Sequence, residues 1–175
     1  MRRSLGLRNA LLALLLLSTG GCYLAGERVI DNGEDAGIAP GTYLCRGSTT
    51  EAVTLSRRNE TAARGTDVVY RVDRTDYRFV SMGNGLWLVQ GTETTNFSYG
   101  YAERTDATHL RILYRDPAAV ARAQELARKH GVQLTIDAKD AGGDKLAGSS
   151  AAIRAFLLAH DRSMLIETMS CATAG

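Results

Sequence analysis

Tyr77-Arg78-Phe79-Val80-Ser81-Met82-Gly83-Asn84-Gly85-Leu86-Trp87-Leu88-Val89-Gln90 is the stretch from which the fold is read. Two β-prone runs flank Asn84-Gly85, and both turn residues tolerate positive φ, which the type I′ turn of a tight hairpin requires. A hairpin is therefore predicted here. Toward the N-terminus, Asp67 to Asp73 alternates with Val68, Tyr70 and Val72 on one face, Ala52 to Arg57 alternates more loosely, and Thr42-Tyr43-Leu44-Cys45 opens the β-rich half. Toward the C-terminus, Phe97 to Arg104 and His109 to Tyr114 face each other across Thr105-Asp106-Ala107-Thr108 as a second hairpin. Such short hops favour an antiparallel meander.

Asp116-Pro117 changes the pattern. Asp116 is placed to cap exposed amides, and Pro117 suits the first helical position, where its missing N–H costs nothing. Val120, Ala123, Leu126, Ala127 and His130 then recur at helical spacing until Gly131. Val132 to Ala138 alternates as a strand, and Asp140 to Gly148 is a polar glycine-containing loop. Ser149 or Ser150 caps a second helix with Ile153, Phe156 and Leu157 facing inward, and Met164 to Cys171 is a last strand. The expected fold class is α+β: an antiparallel β-meander of about six or seven strands followed by α-β-α-β, with the helices packed on one face of the sheet. Residues 42–175 are read as a single α+β domain.

The chain begins differently. Arg2, Arg3 and Arg8 precede an unbroken apolar run from Ala10 to Leu17, and Ser18 to Gly21 are small, the order of a secretory signal. The run is too short for a spanning helix, which needs about 20 predominantly apolar residues. Arg2-Arg3 continues into Ser4-Leu5-Gly6, a weak match to twin-arginine export, and reads as an ordinary positive start.

Leu17-Ser18-Thr19-Gly20-Gly21-Cys22 resembles the lipobox of bacterial lipoproteins. The resemblance implies cleavage before Cys22, a diacylglycerol on its sulfur and acylation, as with palmitate, of the new amino group. Thr19 departs from the family's usual Leu, and Thr19 with Gly21 also suits ordinary signal peptidase, which would release a soluble periplasmic protein. Residues 1–21 are then the signal peptide. Residues 22–41, rich in Gly, Asp, Glu and Asn, are expected to be a lipidated tether. The residue after the cysteine is Tyr23 and not the Asp that in many Gram-negative lipoproteins resembles an inner-membrane retention signal, which points in a Gram-negative host to the outer membrane, facing the periplasm.

Charge narrows the partners. The chain carries 21 basic and 19 acidic residues, and losing Arg2, Arg3 and Arg8 with the signal leaves 18 basic, a formal charge of −1. A nucleic-acid partner needs a basic stripe, whereas Arg57-Arg58 and Arg71/Arg74 sit among acids. With Cys22 assigned to lipid, Cys45 and Cys171 remain as an even pair in an oxidising compartment and are expected to form a disulfide, the alternative being two buried thiols.

No catalytic, cofactor or metal motif is recognised. His109, His130 and His160 lack ligand spacing, and His130 and His160 read as cations at helix C-termini. No Gly-x-Ser-x-Gly elbow is present. Asp137, Asp140 and Asp144 lack the EF-hand order and read as a solvated loop. Phe97, Tyr99 and Tyr101 share one strand face and Ser98, Gly100 and Ala102 the other. The bulky face either fills the core or, with Trp87, forms an exposed patch that a protein or glycan recognises. The expected function is a membrane-anchored, non-enzymatic binding or structural module of the envelope, held by lipid on Cys22. The alternatives are an envelope hydrolase with a dispersed active site and an inhibitor of such a hydrolase.

Overall fold

A computed structural model describes residues 22–63, 65–93, 96–137 and 143–174. Among these the chain forms, in order, β1 (Tyr23–Ala25), β2 (Gly41–Arg46), β3 (Thr50–Ala62), β4 (Gly65–Val72), β5 (Thr75–Gly83), β6 (Leu86–Glu93), β7 (Asn96–Arg104), β8 (His109–Arg115), α1 (Val120–Lys129), β9 (Gln133–Thr135), β10 (Asp144–Ala147), α2 (Ser150–Leu158) and β11 (Leu165–Thr173). The Asn84-Gly85 turn joins β5 to β6 with φ of 52° and 77°, as its residue types predict.

The expected α+β arrangement is not what forms. Each strand from β2 to β8 pairs antiparallel with the next, and β11 then inserts between β8 and β2, which closes an eight-stranded antiparallel barrel. Cys171 lies opposite Leu110 on one side and Cys45 on the other. The hairpins are local and legible, but closure depends on a strand far along the chain finding both edges of the meander. β3 also contributes, because it pairs with β2 through Thr50–Leu55 and with β4 through Leu55–Ala62. That offset staggers its two neighbours, and stagger is what curls a sheet into a barrel.

The Cys45–Cys171 disulfide forms across the β2–β11 pair, with the Cα atoms 4.0 Å apart. It links residues 126 positions apart, and closing a loop of that order stabilises by about 4–5 kcal/mol on the chain-entropy account. Replacing both cysteines with serine is expected to lower the denaturant midpoint to that of the reduced wild-type chain, a comparison that equilibrium unfolding with and without reductant makes directly.

The helices arise as the caps predict but lie elsewhere. Asp116 accepts from the Ala118 N–H and so caps the 3-10 turn Pro117–Ala119 that leads into α1, which has no side-chain cap of its own; Ser149 caps α2 through the Ala152 N–H, and Gly131, at φ 68°, ends the turn after α1. Ile153, Phe156 and Leu157 of α2 are fully buried in a cluster with Val80, Leu88, Tyr101 and Leu113, on the outer wall of β5–β8. Each such side chain contributes about 1.5–3 kcal/mol by leaving water. Where the barrel wall is bare, on β2, β3 and β11, it turns out Thr42, Thr54, Ser56, Glu167 and Ser170, all exposed. A membrane-spanning barrel turns an apolar band outward instead. No helix among the described residues is long and apolar enough to cross a membrane.

Residues 22–41, expected as a tether, are packed into the fold. β1 lies between β7 and a parallel β10, and Tyr23, Ile30 and Ala36 are completely buried. Few apolar residues suffice because the barrel supplies their surface and also the hydrogen bonds. The buried Gln90 side chain accepts from the Val29 and Ile30 N–H groups at 2.9 and 2.8 Å and donates to the Ile30 carbonyl at 3.3 Å. Gln90→Leu leaves both N–H groups without this acceptor, at a cost of about 1–3 kcal/mol for each such group. Hydrogen exchange is expected to show faster exchange over residues 29–38, with the β2–β3 pair unchanged.

Candidate functional site

Strand side chains alternate between faces, so the helix-covered outer cluster places the other set inside the barrel. Tyr43, Cys45, Val68, Tyr70, Phe79, Ala102 and Cys171 form a buried cluster there, and Val53, Leu55, Tyr77, Trp87, Val89, Ile112 and Met169 pack against it half-buried. On β5 and β6 the outward residues Arg78, Val80, Leu86, Leu88 and Gln90 are all buried. Tyr77, Trp87 and Val89, on the inner face of the same strands, are half-buried. The interior of the barrel, its lumen, is occupied by apolar and aromatic side chains, and an eight-stranded barrel is of the size that holds either packed side chains or one small ligand.

Small residues shape this lumen. A Cβ on Gly91 would stand 3.2 Å from the Tyr77 ring, and one on Gly100 would stand 3.0 Å from the Tyr114 ring, so each ring packs against a glycine of the neighbouring strand. The nearly flat side of β7, with Ser98, Gly100 and Ala102, is its inner side. The bulky side faces out: Tyr99 and Tyr101 are 1 % exposed beneath α2 and the N-terminal segment. Trp87 lies on the other face from them, opposite Ala102. Its indole Nε1 is buried and has no hydrogen-bond partner.

One end of the lumen is closed by the N-terminal segment. β4 and β5 pair only from Tyr70–Val72 to Thr75–Tyr77; beyond that, residues 33 and 34 pass between them, with the Val68 N–H bonded to the Gly33 carbonyl and the Glu34 N–H to the Phe79 carbonyl. The buried Arg78–Asp67 pair flanks this crossing, and Asp67 also accepts from the Gly33 N–H at 2.7 Å. The chain then crosses the barrel end. Ala36 and Ile38 join the inner cluster, and the Ala39 N–H reaches the Ala107 carbonyl at the β7–β8 turn. Asp35 accepts from Tyr70 Oη at 2.9 Å and pairs with Arg57 at 2.9 Å, while Arg104 donates to the Gly37 carbonyl. The Gly37 N–H above all, with Tyr70, Arg57 and Arg104, outweighs burial and holds the Asp35 carboxyl below its ordinary range. Burial, reinforced by that carboxylate, pushes the Tyr70 phenol up to about 12.

The residues singled out from sequence are scattered. Cys22 is 2 % exposed, its carbonyl accepts from the Asp144 N–H, and its sulfur lies against Gly143. Burial pushes its thiol up. His130 follows α1, and its N–H returns to the Leu126 carbonyl. His109, exposed at the start of β8, meets Asp106 and Thr108 of the preceding turn through the same Nδ1, which is not the arrangement of a base positioned between a carboxylate and a nucleophile. Asp144, expected in a solvated loop, is buried and held by Arg115 at 2.7 and 2.9 Å. Asp140 lies outside the described residues. Among the described residues no group of three or more His, Cys, Asp or Glu side chains gathers as a metal site.

His160, expected as a helix-end cation, is 3 % exposed and neutral. Nδ1–H donates to the Phe156 carbonyl, which can only accept, so Nε2 accepts from Tyr23 Oη at 2.8 Å. Burial above all, with the nearby Arg115 charge, pulls the imidazole down to about 4. The folded state then resists a proton that the unfolded chain takes up at about 6.5. Stability from this residue is fully present above pH 6.5 and is lost as pH falls toward 4, by roughly 3 kcal/mol over that window. His160→Gln keeps a donor and an acceptor without the titration, and denaturant unfolding between pH 7 and 5 is expected to show a flatter stability profile than wild type.

Searches against family models, curated proteins and solved structures return no match to this chain.

Proposed function

We propose that the chain is an exported envelope lipoprotein, anchored by lipid on Cys22, whose barrel is a non-enzymatic module that binds a small, mainly apolar molecule in its lumen. One observation carries the binding reading. Tyr77, Trp87 and Val89, on the inner faces of β5 and β6, are half-buried, although Arg78, Val80, Leu86, Leu88 and Gln90 on the outer faces are buried. A concave, apolar, preformed space is the usual character of a small-molecule site. The lumen takes the place of the outward protein or glycan patch, since Tyr99 and Tyr101 are spent on packing.

Anchoring rests on the lipobox resemblance of Leu17 to Cys22. In this reading the packing of β1 has a consequence for the anchor. Tyr23 begins a strand immediately after Cys22, so the barrel rides on the outer-membrane surface facing the periplasm rather than at the end of a tether. Modification takes the Cys22 sulfur out of its contact with Gly143.

Expression of the full chain with labelled palmitate tests the anchor: wild type is expected in the outer-membrane fraction carrying label, and Cys22→Ala in neither. Unlabelled wild-type protein in the soluble periplasm would sink this half of the reading. For the lumen, an uncharged polarity-sensitive dye is expected to bind saturably and to draw energy from Trp87, the chain's one tryptophan. Linear, unsaturable uptake would count against it.

A further inference from the structure

Beyond its backbone pairing with β7 and β10, β1 is held by one polar side-chain contact, and that contact can titrate. Tyr23 is completely buried, and its bond to His160 Nε2 is its one hydrogen bond among the described residues. The Phe156 and Tyr101 rings close over the imidazole, with centroids 4.9 and 5.4 Å away. Because Nδ1–H is committed to the Phe156 carbonyl, only a neutral ring with a free lone pair on Nε2 fits this contact.

A proton on Nε2 spoils the contact. The ring then carries N–H on both nitrogens, and Tyr23 must turn its own hydrogen away, where it has no second partner among the described residues. The groups that face the ring do not take up the new charge. Arg115 of β8 repels it, and Asp144 of β10 is already held by Arg115 at 2.7 and 2.9 Å and by the Asp137 N–H. Asp161, just beyond α2, is exposed and bound to Arg122. The Tyr101 hydroxyl donates to the Leu157 carbonyl, and burial pushes the phenols of Tyr23 and Tyr101 up, so neither supplies an anion. A buried cation left without a counter-ion is costly.

Lifting β1 is the smallest movement that lets water reach the ring. β1 is three residues long, and the chain after it is pinned separately: the Tyr99 hydroxyl donates to the Glu27 carbonyl, and Gln90 holds Val29 and Ile30. β10, the strand that β1 would leave, stays tied to β8 through Arg115 and Asp144.

We propose that Tyr23 and His160 form an acid-sensitive latch: a proton taken up from solvent at Nε2 lifts β1 off β7 and β10 while the barrel stays closed. Residues 22–26 then become the tether that the docked fold lacks, with a reach of at most about 18 Å. The tether rests on the anchor reading above; the latch does not.

Hydrogen exchange on the full chain in detergent micelles, at pH 7 and pH 5 and in dilute denaturant, tests the latch. Corrected for intrinsic rates, residues 23–26 are expected to open about twentyfold more at pH 5, the factor for a ring that takes its proton at about 6.5 when released and at about 4 when docked. That opening is expected to be nearly independent of denaturant, whereas β2 and β3 exchange with the full denaturant dependence of unfolding. In His160→Gln the rise is expected to disappear. One shared opening for β1, β2 and β3 at both pH values overturns the proposal, because the proton then acts on the whole fold. A rise that survives in His160→Gln overturns it too, by assigning the proton to another group. The comparison between segments uses the wild-type chain, so it holds even where the variant folds poorly. Palmitate labelling decides the anchor separately: an unlabelled chain whose β1 still opens at pH 5 upholds the latch and loses only the tether.

Discussion

The insertion of β11 between β8 and β2 is the constraint on which the rest of the structure depends. Without it the seven strands of the meander would form a curled sheet with two open edges, each a row of unsatisfied backbone donors and acceptors. Closure removes both edges and creates an inside. It is held covalently as well as by the ladder, because Cys45 and Cys171 are direct cross-strand partners. One strand therefore decides whether Trp87 and Val89 lie on an open face or in an enclosed space.

The second dependence runs from the barrel to the chain's beginning. Residues 22–41 are short of apolar side chains and would not order alone. On the barrel they find Gln90 to receive two backbone N–H groups, a gap between β4 and β5 wide enough to thread, and an inner cluster that takes Ala36 and Ile38. The segment in turn completes the barrel. It covers one end, fills the missing β4–β5 pairing, and brings the Asp35 carboxylate to Arg57 and Tyr70. The outer and inner clusters are thus joined by one strap of chain, and the lumen is apolar partly because that strap neutralises the cation at its end.

Much of the local structure was legible because its causes are local. Asn84-Gly85 forms its turn through two residues that tolerate positive φ, Asp116 and Ser149 cap through their own oxygens, and Gly131 stops a helix because it alone enters left-handed backbone cheaply. The pairing of Cys45 with Cys171 followed from counting cysteines once the lipobox resemblance set Cys22 aside. The failures have a common origin too. His160 stands at a helix end as expected, yet whether a helix end is wet depends on what packs over it, here Tyr23 from the far end of the sequence. Asp144 looked solvated because its partner, Arg115, lies in another strand. The candidate site was visible only as an alternation of small and large residues on β7, with no sign of which face was enclosed.

The sequence by itself determined the turns, the caps, most strands and the resemblance of Leu17 to Cys22 to a lipobox, since each depends on residues within a few positions of one another. The tertiary structure alone decided that the meander closes, that the flat side of β7 is the inner one, that residues 22–41 are packed, and that Trp87 Nε1 is buried without a partner. These depend on which distant strand edge β11 reaches. A periodicity of two tells which side chains share a face, but only the closed ladder tells which face is inside.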